Sequence, residues 1–522
     1  MKKVFDKILI ILTTIILILS VRGIYGTPDA DTINESRWII DGPFELSPER
    51  GRFALTYTLV EEKSVFFSEK IARFTLPDLA YNNGEYVSLF APGVSFIAAP
   101  FYLLGKIFGA SQFGAFLTSA FFAILNVDLI RIIAKKLGAK DLPATVSGLI
   151  FLFATPAFSY ATTLYQHHIS TFLILASLYT LLSENSFKGH VLIWFLYAFA
   201  LTIDYPNAII MLPILIVSFG QLISKKVEKD ILKIVLRVGK LSAVVGVLPV
   251  FILFFWYNFI AYGSPLQFAG TQDTVYEINY KGAPILTRQI APPQTEKDKL
   301  ELPTNNTFLG FFKTKNIING LYILLLSPDR GVIYFAPIVL FGFIGIKFLG
   351  KRSPKYTVLL VSIASFNLLI YSMWGDPWGG WAFGSRYLIP SYAIFAILIS
   401  LILGRISRSS LQLFVFYLVL AYSIAVNTLG AVTSSRMPPK LEAEALSLKY
   451  DKDEKYTVAR NWEMINQGKS KSFVFTTFAN RYLSAWEYFV IVSTLVLVCI
   501  ATPLVLLYIF EDKRSVFNRE WR

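Results

Sequence analysis

Cysteine is nearly missing from this chain: one residue, Cys499, in 522. No disulfide can form within the chain, so its polar loops must fold by packing alone. Charge is also sparse, at 16% of residues, while 54% are hydrophobic and the mean hydropathy is +0.54. Soluble domains are roughly 45–50% apolar and do not carry many apolar runs of about 20 residues. A soluble enzyme is therefore excluded. Histidine occurs three times, and the adjacent pair His167 and His168 cannot face one metal well, so no metal site is expected. There is no internal repeat, and no low-complexity linker divides the chain.

What is present is a series of apolar runs separated by short basic turns. The net charge of +14 would suit nucleic acid, but its Lys and Arg cluster in those turns, which is the pattern of membrane orientation. Nucleic acid is not an expected partner; membrane lipids are. Lys2, Lys3 and Lys7 precede ILIILTTIILILSV with no clear cleavage site after it, so we read a retained first helix with its start in the cytoplasm. Pro92–Gly109 is short for a span. Placed as a helix on the outer surface, it puts every later basic cluster inside, from Arg131 and Lys135 to Lys513 and Arg514.

The spans are then 7–24, 112–133, 143–163, 168–183, 190–203, 206–223, 240–262, 331–349, 356–374, 387–404, 411–431 and 485–510. The expected fold is an all-α integral membrane protein, a polytopic helical bundle of about twelve transmembrane helices, with a large first extracytoplasmic loop carrying surface helices. That body covers 1–510 and ends in a cytoplasmic basic tail, 511–522. Its extracytoplasmic loops are 25–111, 263–330 and 432–484, and most acidic residues fall on that face. The expected location is the cell (cytoplasmic) membrane, multi-pass, with both termini inside and the chemistry outside.

The first loop supplies Asp41, Glu45, Glu49, Glu61, Glu62, Asp78 and Glu85. A carboxylate beside a reacting hydroxyl can act as a general base. Asp41 and Glu49 flank Pro43 and Pro48 just before the helix-like run RFALTYTLVEE, and Glu49 sits near its start, where the helix dipole favours an anion. Glu61 and Glu62 close that run and read as solvated charges. Trp374-Gly375-Asp376-Pro377-Trp378-Gly379-Gly380-Trp381 is either an interfacial aromatic belt or a stacking platform for sugar or lipid. Arg386 in FGSRYLIP and Arg330 in SPDRG stand at outer helix ends. Either could bind phosphate bidentately, or Arg386 could snorkel and Arg330 could pair with Asp329. His167 and His168 could hydrogen-bond a phosphate or sugar, and Asp204 before Tyr205-Pro206 is a functional candidate or a helix cap. Asp128 reads as an ion-pair partner of Arg131 one turn on, and Asn305-Asn306-Thr307 as a glycosylation sequon.

In order along the chain, several short motifs occur at outer helix ends. They are Ser47-Pro48-Glu49, Tyr86-Val87-Ser88 leading to Ala91-Pro92-Gly93, Asp204-Tyr205-Pro206, Ser327-Pro328-Asp329-Arg330-Gly331, and Trp378-Gly379-Gly380-Trp381 with Gly384-Ser385-Arg386-Tyr387. Together they resemble the GT-C glycosyltransferases, membrane enzymes related to protein O-mannosyltransferases and aminoarabinose transferases. The resemblance implies inverting transfer of a sugar from a polyprenyl-phosphate carrier to an extracytoplasmic protein, lipid or glycan acceptor. It implies a first-loop carboxylate as base. Such enzymes commonly have aspartate there; the matching position here is Glu49, with Asp41 as the alternate. Asp78, His167, His168, Asp204, Arg330, Trp378, Trp381 and Arg386 are the expected substrate contacts. No cofactor is assigned, and a divalent cation is left open. The rival functions are a polysaccharide polymerase or ligase using lipid-linked glycans, and a twelve-helix transporter. The transporter fits poorly with long external loops and few charges within the spans.

Overall fold

The computed structural model describes residues 2–40, 42–221, 223–228, 231–236, 242–290, 312–406, 410–451 and 453–517. Asp41 and the sequon at 305–307 lie outside them. The fold is mostly helical, 70% helix and 5% strand. Among the described residues six helices are long and apolar enough to cross a membrane, and five shorter apolar helices accompany them.

Helix α1 (Lys2–Ser20) enters the bundle and is followed by three polar-loop helices: α2 (Ser36–Ile39), α3 (Ser47–Tyr57) and α4 (Glu69–Thr75). Next comes the hairpin of β1 (Leu79–Asn82) and β2 (Glu85–Ser88). Its turn, Asn83-Gly84, has positive φ at both residues (50° and 93°), the condition for the tight hairpin turn that matches strand twist. Helix α5 (Gly93–Ile107) lies against α6 (Ser111–Lys136). Gly105 and Gly114 allow this closeness, since a Cβ on either would come within 2.6 Å of the other's backbone. The other side of α5 leaves Phe96, Leu103, Leu104 and Ile107 exposed, as an apolar helix face does against lipid.

Helices occupy most of the described length of the expected spans, but proline divides three of them. The run 143–163 becomes α7 (Asp141–Phe153) and α8 (Ala157–Tyr160), parted at Thr155-Pro156. Helices α9 (His167–Ser183) and α10 (Phe187–Ile203) are continuous, whereas 206–223 splits into α11 (Asn207–Ile210) and α12 (Leu212–Gly220) around Pro213. The span 331–349 is a short turn of helix at Val332–Phe335, a tight turn from Pro337, and then α14 (Gly342–Arg352); α13 is Leu248–Tyr262. A proline has no N–H to donate and crowds the preceding turn. The bundle closes with α15 (Pro354–Ser372), α16 (Ile389–Ile406), α17 (Ser410–Val432) and the long α18 (Ala485–Phe517). Helices α7 and α16 are the most enclosed, which suits the small residues that line them and their neighbours. Gly345 of α14, for example, faces the Leu398 carbonyl of α16 so closely that a Cβ would sit 2.2 Å away. At the opposite end Arg131 bridges Asp6 (2.7 Å) and Asp141 (3.2 Å), rather than making the expected pair with Asp128.

The purely α expectation needs amending. A hairpin of β3 (Ile223–Glu228) and β4 (Ile231–Leu236) follows α12, and strand β1 also pairs antiparallel with β5 (Asp273–Ile278), through Ala80↔Thr274 and Tyr81↔Asp273, while β5 pairs with β6 (Pro284–Leu286). The sheet order is β2-β1-β5-β6, so two loops far apart in sequence share one small sheet. Arg73 reinforces the join by donating to the carbonyls of Ile278 (2.8 Å) and Asn279 (2.5 Å). The last polar loop is anchored beside them, with Phe473 N–H on the Val21 carbonyl (2.8 Å) and Gly23 N–H on that of Lys471 (3.1 Å). The described parts of all three long loops thus cover one end of the bundle.

Candidate active site

A cavity of about 630 Å³ lies where the polar loops meet the helix ends. Its wall takes Ser47, Pro48 and Arg52 from α3, Asp78 and Phe90 from the first loop, and Tyr165 and Gln166 before α9. Asp204 and Tyr205 after α10, Tyr371 near the end of α15, the Asp376–Trp381 turn, and Arg386 and Tyr387 before α16 complete it.

Two arginines supply its positive charge. Arg386 is 8% exposed, and its guanidinium carbon lies 5.1 Å from the Tyr165 ring and 5.3 Å from that of Tyr387. Its Nε and Nη1 have no hydrogen-bond partner although both are buried. A buried guanidinium with unused donors is costly unless an anion completes it. Arg52, one turn into α3, is the residue that the sequence did not single out. It donates from Nη1 to the Pro48 carbonyl (2.7 Å), leaves Nε unpartnered, and lies 4.5 Å from the Phe90 ring. Burial pulls its pKa down, to about 10. Phe90 occupies the position just before Ala91-Pro92-Gly93 and here serves as the ring beneath that cation.

Three carboxylates share the wall. Asp78 accepts the Ser47 hydroxyl (2.6 Å). Asp204 accepts Tyr371 OH (3.1 Å) and Gln166 Nε2 (3.3 Å), both on Oδ2. Asp376 accepts the N–H groups of Trp378 (3.1 Å) and Gly380 (2.5 Å), so it holds its own turn together. Gly379 and Gly380 both have positive φ (71° and 63°), which lets that turn fold back over the cavity. Among the described residues no three His, Cys, Asp or Glu side chains converge as metal ligands would.

Several expected contacts sit elsewhere. Glu49 is fully buried behind the cavity and is not part of its wall. Its Oε1 accepts Leu46 N–H (2.8 Å), satisfying one of the free donors at the start of α3, and its Oε2 accepts the Thr163 hydroxyl. Burial, with the nearby charge of Glu45, raises its pKa to about 6. Glu45 beside it is held low despite burial by Arg22 and Lys471; Arg22 Nη1 reaches it at 2.8 Å. Arg330 was expected at a phosphate. Instead its buried guanidinium donates to the carbonyls of Asp329 (2.6 Å), Trp378 (3.0 Å), Gly380 (2.8 Å) and Met437 (2.7 Å). It clamps the tryptophan-rich turn to the last loop, with four of its five N–H donors on main-chain carbonyls.

His168 is buried against the Ala157 carbonyl (2.7 Å), and His167 stacks on Tyr165 (5.7 Å), so both support the wall from behind. Trp378 contributes its carbonyl to Arg330, while Trp381 lines the cavity and its indole N–H donates to Glu442. Of the expected set the structure therefore brings together Asp78, Asp204, Trp381 and Arg386. It adds Arg52, whose only sequence signal was a basic residue one turn after Pro48.

No family model matches the sequence, and no curated protein matches it. Among solved structures, the crystal structure of ArnT from Cupriavidus metallidurans in the apo state superposes with a TM-score of 0.44 at 12% identity, over 97% of this chain and 76% of that one. The crystal structure of ArnT from Cupriavidus metallidurans bound to undecaprenyl phosphate gives a TM-score of 0.45 at 13% identity, over the same shares.

Proposed function

We propose that this cavity transfers a sugar from a polyprenyl-phosphate carrier to an acceptor on the extracytoplasmic face. The observation that carries this is Arg386, buried on the cavity wall with Nε and Nη1 unpartnered. A carrier with its tail in the bilayer presents its phosphate at the ends of the helices, where Arg386 and Arg52 stand. The aromatic wall of Tyr205, Tyr371 and Trp381 gives a sugar ring surfaces to pack on. The acceptor hydroxyl oxygen bonds to the anomeric carbon as the bond from that carbon to the phosphate oxygen breaks. The phosphate leaves with the bonding electrons, and the guanidinium groups stabilise its growing charge. Asp78 takes the acceptor's proton. It is a first-loop carboxylate, as the family resemblance implies, but at the cavity wall where Glu49 is not.

The test uses the full chain in liposomes with a labelled polyprenyl-phosphate sugar and a cell-envelope acceptor extract. Wild type should transfer label. Arg386→Gln should lower turnover by about 10²-fold or more, and Asp78→Asn by about 10²-fold, while Glu49→Gln should stay close to wild type. Full turnover in both Arg386→Gln and Asp78→Asn would overturn the site. Turnover only with a diphosphate-linked oligosaccharide would point to a ligase instead.

A further inference from the structure

A second cavity, of about 490 Å³, adjoins the first and plays no part in the mechanism above. It is walled by the last polar loop, with Glu45 and Ile40 from the first. The segment Glu45-Leu46-Ser47-Pro48 runs directly between the two: Glu45 lines the second, and Leu46, Ser47 and Pro48 line the first. The division between them is also shared by two side chains. Arg436 belongs to the second cavity, and its guanidinium carbon sits 4.7 Å from the ring of Trp381, which belongs to the first.

The charges of this wall are not balanced. Arg436, Arg460, Lys469 and Lys471 face Glu45, Glu454 and Glu463. Glu45 is already taken by Arg22 (2.8 Å), by Ser435 N–H (3.0 Å) and by Lys471 (3.5 Å). Glu454 is taken by Arg460, and Glu463 accepts Gln467 Nε2 (3.3 Å). Among the described residues Arg436 and Lys469 have no side-chain hydrogen bond or ion pair, Arg436 being held by its ring contact alone. Two unspent cations on a polar concavity, one of them held against Trp381 of the transfer site, are a place for an oxyanion.

We infer that the second cavity holds the acceptor, and that the acceptor carries a phosphate or carboxylate group bound by Arg436 and Lys469. This rests on the transferase function proposed above. The anion would dock in the second cavity while the acceptor's hydroxyl crosses the Trp381–Arg436 boundary toward Asp78. The oxyanion could belong to an acidic glycan or to a lipid headgroup, and binding separates the two.

The purified full chain, in nanodiscs of neutral lipid, is titrated with a glucuronate-bearing oligosaccharide. In parallel it is placed in nanodiscs containing phosphatidate, and stabilisation against heat is read in both. All arms are repeated in the Arg386→Gln background, which removes the phosphate contact of the first cavity. Saturable binding of either probe is expected in both backgrounds. It should weaken about tenfold in Arg436→Gln and again in Lys469→Gln. Lys469 is exposed and has no partner, so its loss cannot act by unfolding the loop. Binding of the glycan alone assigns the glycan source, and binding of phosphatidate alone the lipid source. No saturable binding of either would overturn the inference, as would binding that Arg386→Gln abolishes and Arg436→Gln spares. Neither reading needs turnover, so a failure here is distinct from a failure of the transfer assay.

Discussion

Glu49→Gln is the substitution on which the two roles of that residue give opposite results. As a base, Glu49 would be indispensable; as a buried cap of α3, it should be replaceable by glutamine. The Gln side-chain oxygen can still accept Leu46 N–H, and its amide can donate to Thr163. What glutamine removes is a titration. The folded pKa of Glu49 is about 6 against an ordinary 4.5, with burial as the first cause and Glu45 as the second. A carboxyl raised in this way binds more protons folded than unfolded between those values, so stability falls as pH rises through the window. The penalty is absent below the ordinary pKa and complete above the folded one. Its full size is about 2 kcal/mol, from a rise of about one and a half pH units, and more than half of it develops between about pH 5 and about pH 7.5. The assay is reversible unfolding in mixed micelles at those two pH values, for wild type and Glu49→Gln. Other titrating groups cancel in the comparison, so the variant should lose about 1 kcal/mol of the wild-type pH difference. Equal pH differences in the two proteins would refute the buried, proton-holding role. Loss of sugar transfer in a variant that folds as well as wild type would return Glu49 to the chemistry.

Arg386→Lys should keep the charge but lose the fork, and titration of the carrier lipid should show donor affinity weakened by about tenfold with the fold intact. Arg330→Met should leave the carbonyls of Trp378, Gly380 and Met437 without their donor; at about 1–3 kcal/mol for each buried group left unmade, thermal unfolding should show a loss of several kcal/mol together with activity. Gly114→Leu should force α5 from α6, since even a Cβ there lies 2.5 Å from the Phe101 carbonyl; a cost of roughly 1–3 kcal/mol should appear as faster proteolysis of the 93–110 segment.

The membrane body was legible because apolar length and the placing of lysine and arginine are one-dimensional signals. Pro156, Pro213 and Pro337 were visible too, yet a hydropathy window averages over them, so three broken spans read as whole. The β1–β2 hairpin carries a local turn signal at Asn83-Gly84, which the all-α expectation passed over. Its pairing with β5, almost two hundred residues on, has no local signal, because cross-strand partners are chosen only when loops far apart in the chain are packed together.

The same limit explains the site. Sequence reasoning finds ionisable residues at helix ends, but what such a residue does depends on what already occupies its hydrogen bonds. Arg330 and Arg386 looked alike in sequence, each in a glycine- and serine-containing turn before an apolar helix. Four main-chain carbonyls consume the first, and two tyrosine rings merely support the second. Likewise Glu49 and Asp78 both stand in the first loop. Glu49 faces inward because position three of α3 turns toward Thr163 and the Arg22–Glu45 pair, whereas Asp78 ends its segment beside Ser47 on the cavity wall. A carboxylate that caps a helix and meets a threonine has its protons and bonds committed to the fold. A carboxylate held by a single serine hydroxyl can exchange that bond for a substrate's, and for that reason we propose Asp78 to take the acceptor's proton.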